Sequence, residues 1–308
     1  MNKNERVRAA LKGQPVDKVP GGFWFHFPSA QAHGQASIDA HLETYRATDV
    51  DFVKIMNEHP YRANVEIREP ADWRNLRPAP LSADFYQEQL DEIKGIVDGL
   101  NGECLTVSTI FNPFSEGNHA ADHLVTEHLK ADPESVNQGL AAIAESLAEF
   151  AVACVEAGAS GIYYSAQGGE EDRFSAQEFL NYIKPHDLTI LNALKSVGEF
   201  HLLHICKDRI RLPLYADYPC HAVNWAATKH NLSLIEGRDL FQRTIVGGLG
   251  DRGIIVDGNQ EEIQAAVQQV IAEFGPTGLM LGADCTLPTD ISLANIRAAM
   301  AATMLSAV

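Results

Sequence analysis

Basic residues are scarce in this 308-residue chain: 24 Lys and Arg stand against 41 Asp and Glu, a formal net charge of −17. So acidic a surface repels a phosphate backbone or an anionic bilayer, which argues against nucleic acid and membranes as partners. Cysteine is sparse as well. Its five occurrences, Cys104, Cys154, Cys206, Cys220 and Cys285, are odd in number and widely spaced, as expected in a reducing compartment. The N-terminus carries Lys3, Glu5, Arg6 and Arg8 where the apolar part of a secretory signal would begin, so a cytoplasmic protein is expected. Long apolar runs are missing too: Gly139 to Ala159, the most apolar helix-like stretch, contains Glu145, Glu149 and Glu156, and no membrane span is expected there. No G-x-x-x-x-G-K-[ST] occurs, so that phosphate-cradling loop is absent. Internal repeats and low-complexity segments are also lacking.

What the chain does have is core material. With 45% hydrophobic and 21% charged residues it reads as a globular protein. Short β-branched or aromatic runs alternate with helical periodicity, the pattern of repeated βα units. Eight runs qualify as strands: Val19–His26, Asp51–Met56, Cys104–Ile110, Gly161–Ser165, Phe200–Ile205, Ala222–Trp225, Thr244–Gly248 and Leu279–Gly282. Between them the clearest helices are Asp84–Leu100, Pro133–Ala157, Ala176–Val197, Glu261–Phe274 and Ser292–Leu305, and Asp132-Pro133-Glu134 supplies an N-cap, an N1 proline and a first-turn acid. Eight such units predict one α/β domain over residues 1–308, a single (β/α)8 TIM barrel, with a doubly wound open sheet as the alternative. The proline-rich segment from His59 to Ser82 is longer than a plain connection and reads either as a lid or as a long loop.

A barrel keeps its active site at the C-terminal ends of its strands, so those ends are where chemistry is sought. They carry His26, Asn57 with Glu58, Asn112, Gln167, His204 with Cys206, Asn224 with Trp225, and Asp284 with Cys285. Asn and Asp are common capping residues, which leaves the His and Cys positions as the informative ones. In His204-Ile205-Cys206 the period-2 geometry of a strand turns both polar side chains to one face. Cys285 ends the last candidate strand, where a closed barrel can return it to them. One imidazole and two thiolates suit zinc, and three protein ligands leave a fourth position open, as in catalytic zinc sites. The alternative is that the cysteines are ordinary core residues, the expectation for Cys104, Cys154 and Cys220; Cys220, near Asp217 and His221, is the substitute ligand.

The opening Arg6-Val-Arg-Ala-Ala-Leu-Lys-Gly-Gln-Pro-Val-Asp17-Lys-Val-Pro20 resembles the start of the uroporphyrinogen decarboxylase superfamily, as do Gly247-Gly248, Ile255-Val256-Asp257-Gly258 and Glu261-Glu262-Ile263. The resemblance runs through nearly the whole chain and implies a (β/α)8 barrel of one of two branches, cofactor-free decarboxylases or zinc-dependent methyl- and alkyltransferases acting on thiols. The decarboxylases carry an arginine-rich motif just after the first strand, where guanidinium groups hold the substrate's carboxylates. Here that place reads Phe23-Trp24-Phe25-His26-Phe27-Pro28-Ser29-Ala30-Gln31-Ala32-His33, without arginine. The transferase branch is marked by His-x-Cys and a distant Cys, matched by His204, Cys206 and Cys285. The resemblance thus implies Zn2+ on these residues and a small-molecule thiol substrate. The substrate-binding lining is expected to comprise His26, Asn57, Asn112, Tyr164 in preference to Tyr163, Gln167, Asn224 and Trp225, with ordinary core packing as the alternative for Trp225. A single barrel uses up the 308 residues, so a methyl-corrinoid donor would be supplied by a separate corrinoid protein, and homodimers are common in the superfamily. Two other readings are a uroporphyrinogen decarboxylase-like lyase and a non-catalytic barrel whose structural zinc is closed by Cys220 or Asp284.

Overall fold

A computed structural model describes residues 1–305. Seven strands form one parallel sheet in strict sequence order: β1 (Phe52–Ile55), β2 (Leu105–Phe111), β3 (Gly161–Ala166), β4 (Leu202–Ile205), β5 (Ala222–Trp225), β6 (Thr244–Leu249) and β7 (Leu279–Ala283). Parallel neighbours need crossover connections, and most of them contain helices, among them Asp84–Leu100, Pro133–Glu156, Lys184–Ala193, Leu234–Phe241 and Gln260–Phe274. Helix Pro133–Glu156 begins as its sequence predicts, with the Asp132 carboxylate accepting from the Ser135 amide at 3.1 Å and proline in the first turn.

Strand periodicity sorts the side chains into two layers. Phe52, Leu105, Val107, Tyr163, Leu202, Ala222, Val246 and Met280 point inward and form a compact core, to which Val7 and Ala10 of helix Lys3–Leu11 contribute. That helix sits at the N-terminal ends of the strands, where the Ala10 carbonyl accepts from the Thr244 hydroxyl at 2.8 Å. The alternate residues, including Ile55, Ile110, Tyr164, Leu203, Ile205, Val223 and Trp225, face outward into the larger core between sheet and helices. Inside the curl, polarity rises toward the C-terminal ends: Phe52 is followed inward by Lys54, Tyr163 by Ser165, and Leu202 by His204 and Cys206. The chain thus places its polar inward residues at one end of a closed apolar plug.

The expected first strand, Val19–His26, is not a regular strand, and this corrects the count of eight. Its segment pairs with β7 through isolated parallel bridges, Gly21 to Leu281 and Phe25 to Leu287. The Gly22 amide donates to the Leu281 carbonyl at 3.0 Å, the Leu281 amide to Pro20 at 2.7 Å, and the Asp51 amide to Gly21 at 2.7 Å. The segment therefore lies between β7 and the entry to β1 without a continuous ladder. Pro20 has no amide hydrogen to give, and Gly21-Gly22 brings no side chain to the pleat. Glycine is required at position 22 by proximity: a Cβ there would meet the Phe52 ring at 2.4 Å.

The segment from His59 to Ser82 is pinned along the side of the molecule. Trp73 is fully buried, donates from its indole nitrogen to His128 Nδ1 at 3.1 Å, and lies where Cβ atoms on Gly117 and Gly139 would collide with it. The Ser146 hydroxyl accepts from the Ala79 amide at 2.8 Å, and Arg74 donates to the Ser135 hydroxyl at 2.5 Å, so helix Pro133–Glu156 holds the segment at two points. That helix is the one among the described residues with the length and hydropathy of a membrane span, and its apolar face is covered by this strap and the sheet.

Candidate metal centre and its cavity

His204 is the last inward residue of β4, and the register sets it beside Ser165 of β3 and Asn224 of β5. Cys206 follows one period later. Cys285 comes from the turn after β7, and the three ligand atoms all lie within 4.8 Å of one another. Cys285 Sγ stands 3.5 Å from His204 Nε2. This brings together the residues that the His-x-Cys spacing and the distant cysteine single out.

The imidazole is fixed from behind. Its Nδ1 is 2.5 Å from Asn224 Oδ1, and Asn224 is itself locked because its amide donates to the carbonyls of Val246 at 2.8 Å and Ala283 at 3.0 Å. With both amide hydrogens spent on carbonyls, Asn224 can present only its oxygen, so Nδ1 carries a hydrogen and Nε2 is the ring nitrogen turned toward Cys285. The two thiols are also unequal. The hydrogen bond from Cys206, with the nearby His204 imidazole, holds Cys285 far below the ordinary thiol range, while the same hydrogen bond and burial push Cys206 well above it. An imidazole nitrogen and two sulfurs within this span form a group able to hold a metal ion, and the soft donor set fits zinc. Neither Cys220 nor Asp284 belongs to the group; Asp284 instead accepts from the Thr228 amide at 3.1 Å and from its hydroxyl.

The donors face a cavity of about 380 Å³ that His26, Tyr163, Gln167 and Lys54 also line. His26 Nδ1 is 2.6 Å from Glu58 Oε1, which ties the expected lining residue to a neighbouring carboxylate. Of the other expected lining residues, the structure brings Gln167 to the cavity and leaves five elsewhere. Tyr164 has outward parity: it is buried and donates its hydroxyl to Asp187 at 2.8 Å, while Tyr163 takes the inward place and stacks on His204 with ring centroids 5.2 Å apart. Trp225 shares that outward parity and packs on helix Leu234–Phe241, donating to the Leu232 carbonyl at 2.7 Å. Asn112 caps the helix that starts at Pro113 by accepting from the Ser115 amide at 3.1 Å. Asn57 turns back on its own loop and accepts from the His59 amide at 3.0 Å. Asn224, as described, reaches the site only through His204.

Lys54 is a site residue that sequence reasoning missed. It sits mid-strand on β1, its ammonium 4.4 Å above the Tyr163 ring centre and 3.0 Å from Met56 Sδ. Burial pushes it down to about 7, against the raising influence of Cys285 and Glu58. Only its inward parity with Phe52 could have flagged it, and that parity is fixed by register, which the sequence leaves open.

Comparison with known proteins places this geometry in context. The sequence profile of the family described as uroporphyrinogen decarboxylase (URO-D) matches residues 44–304. A search of curated protein sequences gave no match. Among solved structures, the fold is similar to a methyltransferase from Methanosarcina mazei at a TM-score of 0.78, with 20% identity over 98% of each chain. It is also similar to a B12-independent methionine synthase from Shewanella sp. W3-18-1, at a TM-score of 0.57 and 14% identity over 94% of this chain and 93% of that one.

Proposed function

We propose that this chain, which belongs to the uroporphyrinogen decarboxylase (URO-D) family, is a zinc-dependent transferase that methylates or alkylates a small thiol at His204, Cys206 and Cys285. The observation that carries the reading is the convergence of one oriented imidazole and two neighbouring sulfurs on a cavity of about 380 Å³. Zinc bound there would stabilise a substrate thiolate over the thiol at neutral pH and so supply a nucleophile. The chain's own residues do the rest. Asn224 holds the His204 ring so that Nε2 faces the site, and Cys206 and Cys285 would hold the metal as thiolates. Tyr163 and Phe111 give the cavity apolar walls that limit water around the reacting sulfur. Lys54, which burial brings close to neutrality, would carry its positive charge where the thiolate or an acidic tail of the substrate lies beside it. The cavity's size suits a small thiol and a methyl or short alkyl group; a corrinoid donor would present its methyl from the open mouth on a separate protein. We read the curled sheet as a (β/α)8 barrel whose first strand is the irregular segment around Gly21, and the five unpaired cysteines are in keeping with a reducing, cytoplasmic setting.

A metal-free decarboxylase is the second reading, favoured by the family description alone. A polycarboxylate needs several fixed cations, and the only arginine lining the cavity is Arg252, whose Nη1 is bound to the carbonyls of Asp251 and Thr286. Replacing Cys206 or Cys285 with serine should remove one sulfur-bound zinc per chain and abolish thiol consumption with methylcobalamin or an alkyl halide as donor, while circular dichroism stays native. Retention of sulfur-bound zinc in both variants, or turnover of uroporphyrinogen by zinc-depleted protein, would overturn the proposal.

A further inference from the structure

A second group of ligand-type side chains meets away from this cavity, on three separate segments. His33 ends the loop before helix Gly34–Thr48, His59 follows β1, and Glu92 lies mid-way along helix Asp84–Leu100. Their ligand atoms all fall within 4.8 Å of one another. The His33 and His59 rings lie 4.7 Å apart at their centres, and His59 Nε2 is 3.0 Å from Glu92 Oε1. Glu92 is 3% exposed and held in place: its Oε1 accepts from the Gly34 amide at 2.6 Å and its Oε2 from the Ser37 hydroxyl at 3.4 Å. The far nitrogen of His59, Nδ1, is 3.2 Å from Glu88 Oε2.

This last contact decides what the cluster can do. If Nδ1–H donates to Glu88, Nε2 is a lone pair aimed at a buried carboxylate oxygen, and two acceptors so close need a positive centre between them. A proton on Nε2 would serve, and so would a cation. The arrangement of a carboxylate behind a histidine whose other nitrogen faces the ligand space is the one that orients metal-binding imidazoles. A tetrahedral cation with bonds of ~2.0–2.1 Å keeps its ligand atoms roughly 3.3 Å apart, within the range that these three donors span. The surrounding cavity, about 720 Å³, is lined by Glu88, Asp91 and Glu92 against a single Arg62, so its charge favours a cation, and its opening leaves positions free for solvent.

We propose that His33, His59 and Glu92 form a second metal site, for a divalent first-row transition ion of borderline hardness, distinct from the sulfur-ligated centre in donors and location. Two nitrogens and one oxygen without sulfur accept zinc, cobalt, nickel or ferrous iron. The proposal does not depend on the activity of the chain, and its test can fail while the sulfur site stands.

The experiment uses the full chain carrying Cys206→Ser and Cys285→Ser, which silences the sulfur donors, with zinc as the titrant at neutral pH. One zinc per chain is expected by calorimetry, and cobalt in its place should give d–d absorption without a sulfur-to-metal charge-transfer band. Adding His33→Ala, at an exposed ring whose loss spares the core, should weaken uptake at least about tenfold, and Glu92→Gln should do the same. A folded double-serine protein that takes up no zinc would show that a proton alone fills the gap. Uptake unchanged by both His33→Ala and Glu92→Gln would place the ion elsewhere. Either result overturns the site.

Discussion

Asn224 shows how much one uncharged side chain decides. Its amide hydrogens are committed to two carbonyls, so it dictates the tautomer of His204 without touching the cavity. Asn224→Leu should therefore leave the cysteines in place yet lower zinc affinity by about 10–100-fold, measured by competition with a chromogenic chelator. An unchanged affinity would mean that His204 is oriented by its strand alone. Glu116, one turn into the helix that follows β2, makes the opposite point about charge. Burial pushes its carboxyl up to about 8. Unfolded, the same group releases its proton near pH ~4.3, so the folded state binds more protons between these limits and stability must fall as pH rises from about 4 to 8. Glu116→Gln should flatten that slope and stabilise the protein at pH 8 or above by up to about 5 kcal/mol, read from guanidinium unfolding at a series of pH values. A parallel slope in the variant would exclude Glu116 as its source.

At the scale of elements, the strap and the strands behave differently. Trp73 fastens the strap to helix Pro133–Glu156 and does not line the cavity of His204, Cys206 and Cys285. Trp73→Ala should cost about 3–5 kcal/mol of stability while zinc content stays constant; a loss of metal with little loss of stability would instead make the strap part of the site. The strands explain which parts of the site are legible in sequence. His204 and Cys206 sit two apart, a spacing that sends both to one face whatever the register, so the pair is readable from spacing alone. Tyr163 and Tyr164 are adjacent, and choosing between them needs the register of β3 against β4, which arises from packing across the whole sheet. Lys54 gives no signal because a lone cation inside an apolar run reads as an edge or an error. Asn57, Asn112 and Asn224 share a residue type that suits turns, helix caps and buried hydrogen bonds equally well, and each takes one of those parts. The helix start marked by Asp132-Pro133 is legible because it is local. The first strand departs from expectation for the converse reason: its hydrophobic run looks like β-structure, but Pro20 and the two glycines deny it the ladder.

Across the whole molecule, a formal charge of −17 loads the folded surface with repulsion that the unfolded chain partly relieves. Raising monovalent salt from about 10 mM to 150 mM shortens the screening length from about 30 Å to 8 Å, so the melting temperature should rise over that range by calorimetry. A fall would show that ion pairs such as Arg6 with Asp51 outweigh the net repulsion. The acidic surface and the cationic needs of the interior are reconciled by position, since Lys54 is buried in the cavity wall and most of the carboxylates lie outside it.

The irregular closure beside β7 bears on how an ion could get in. His204 and Cys206 extend a strand bonded along both edges, whereas Cys285 hangs from the turn that joins Leu287 to Trp24 across a few scattered bonds. Backbone bonding beside Cys285 is therefore sparser than beside His204 and Cys206. In deuterium the amides of Gly22 and Leu287 should exchange before those of β3 and β4, and loading the sulfur site should slow them selectively.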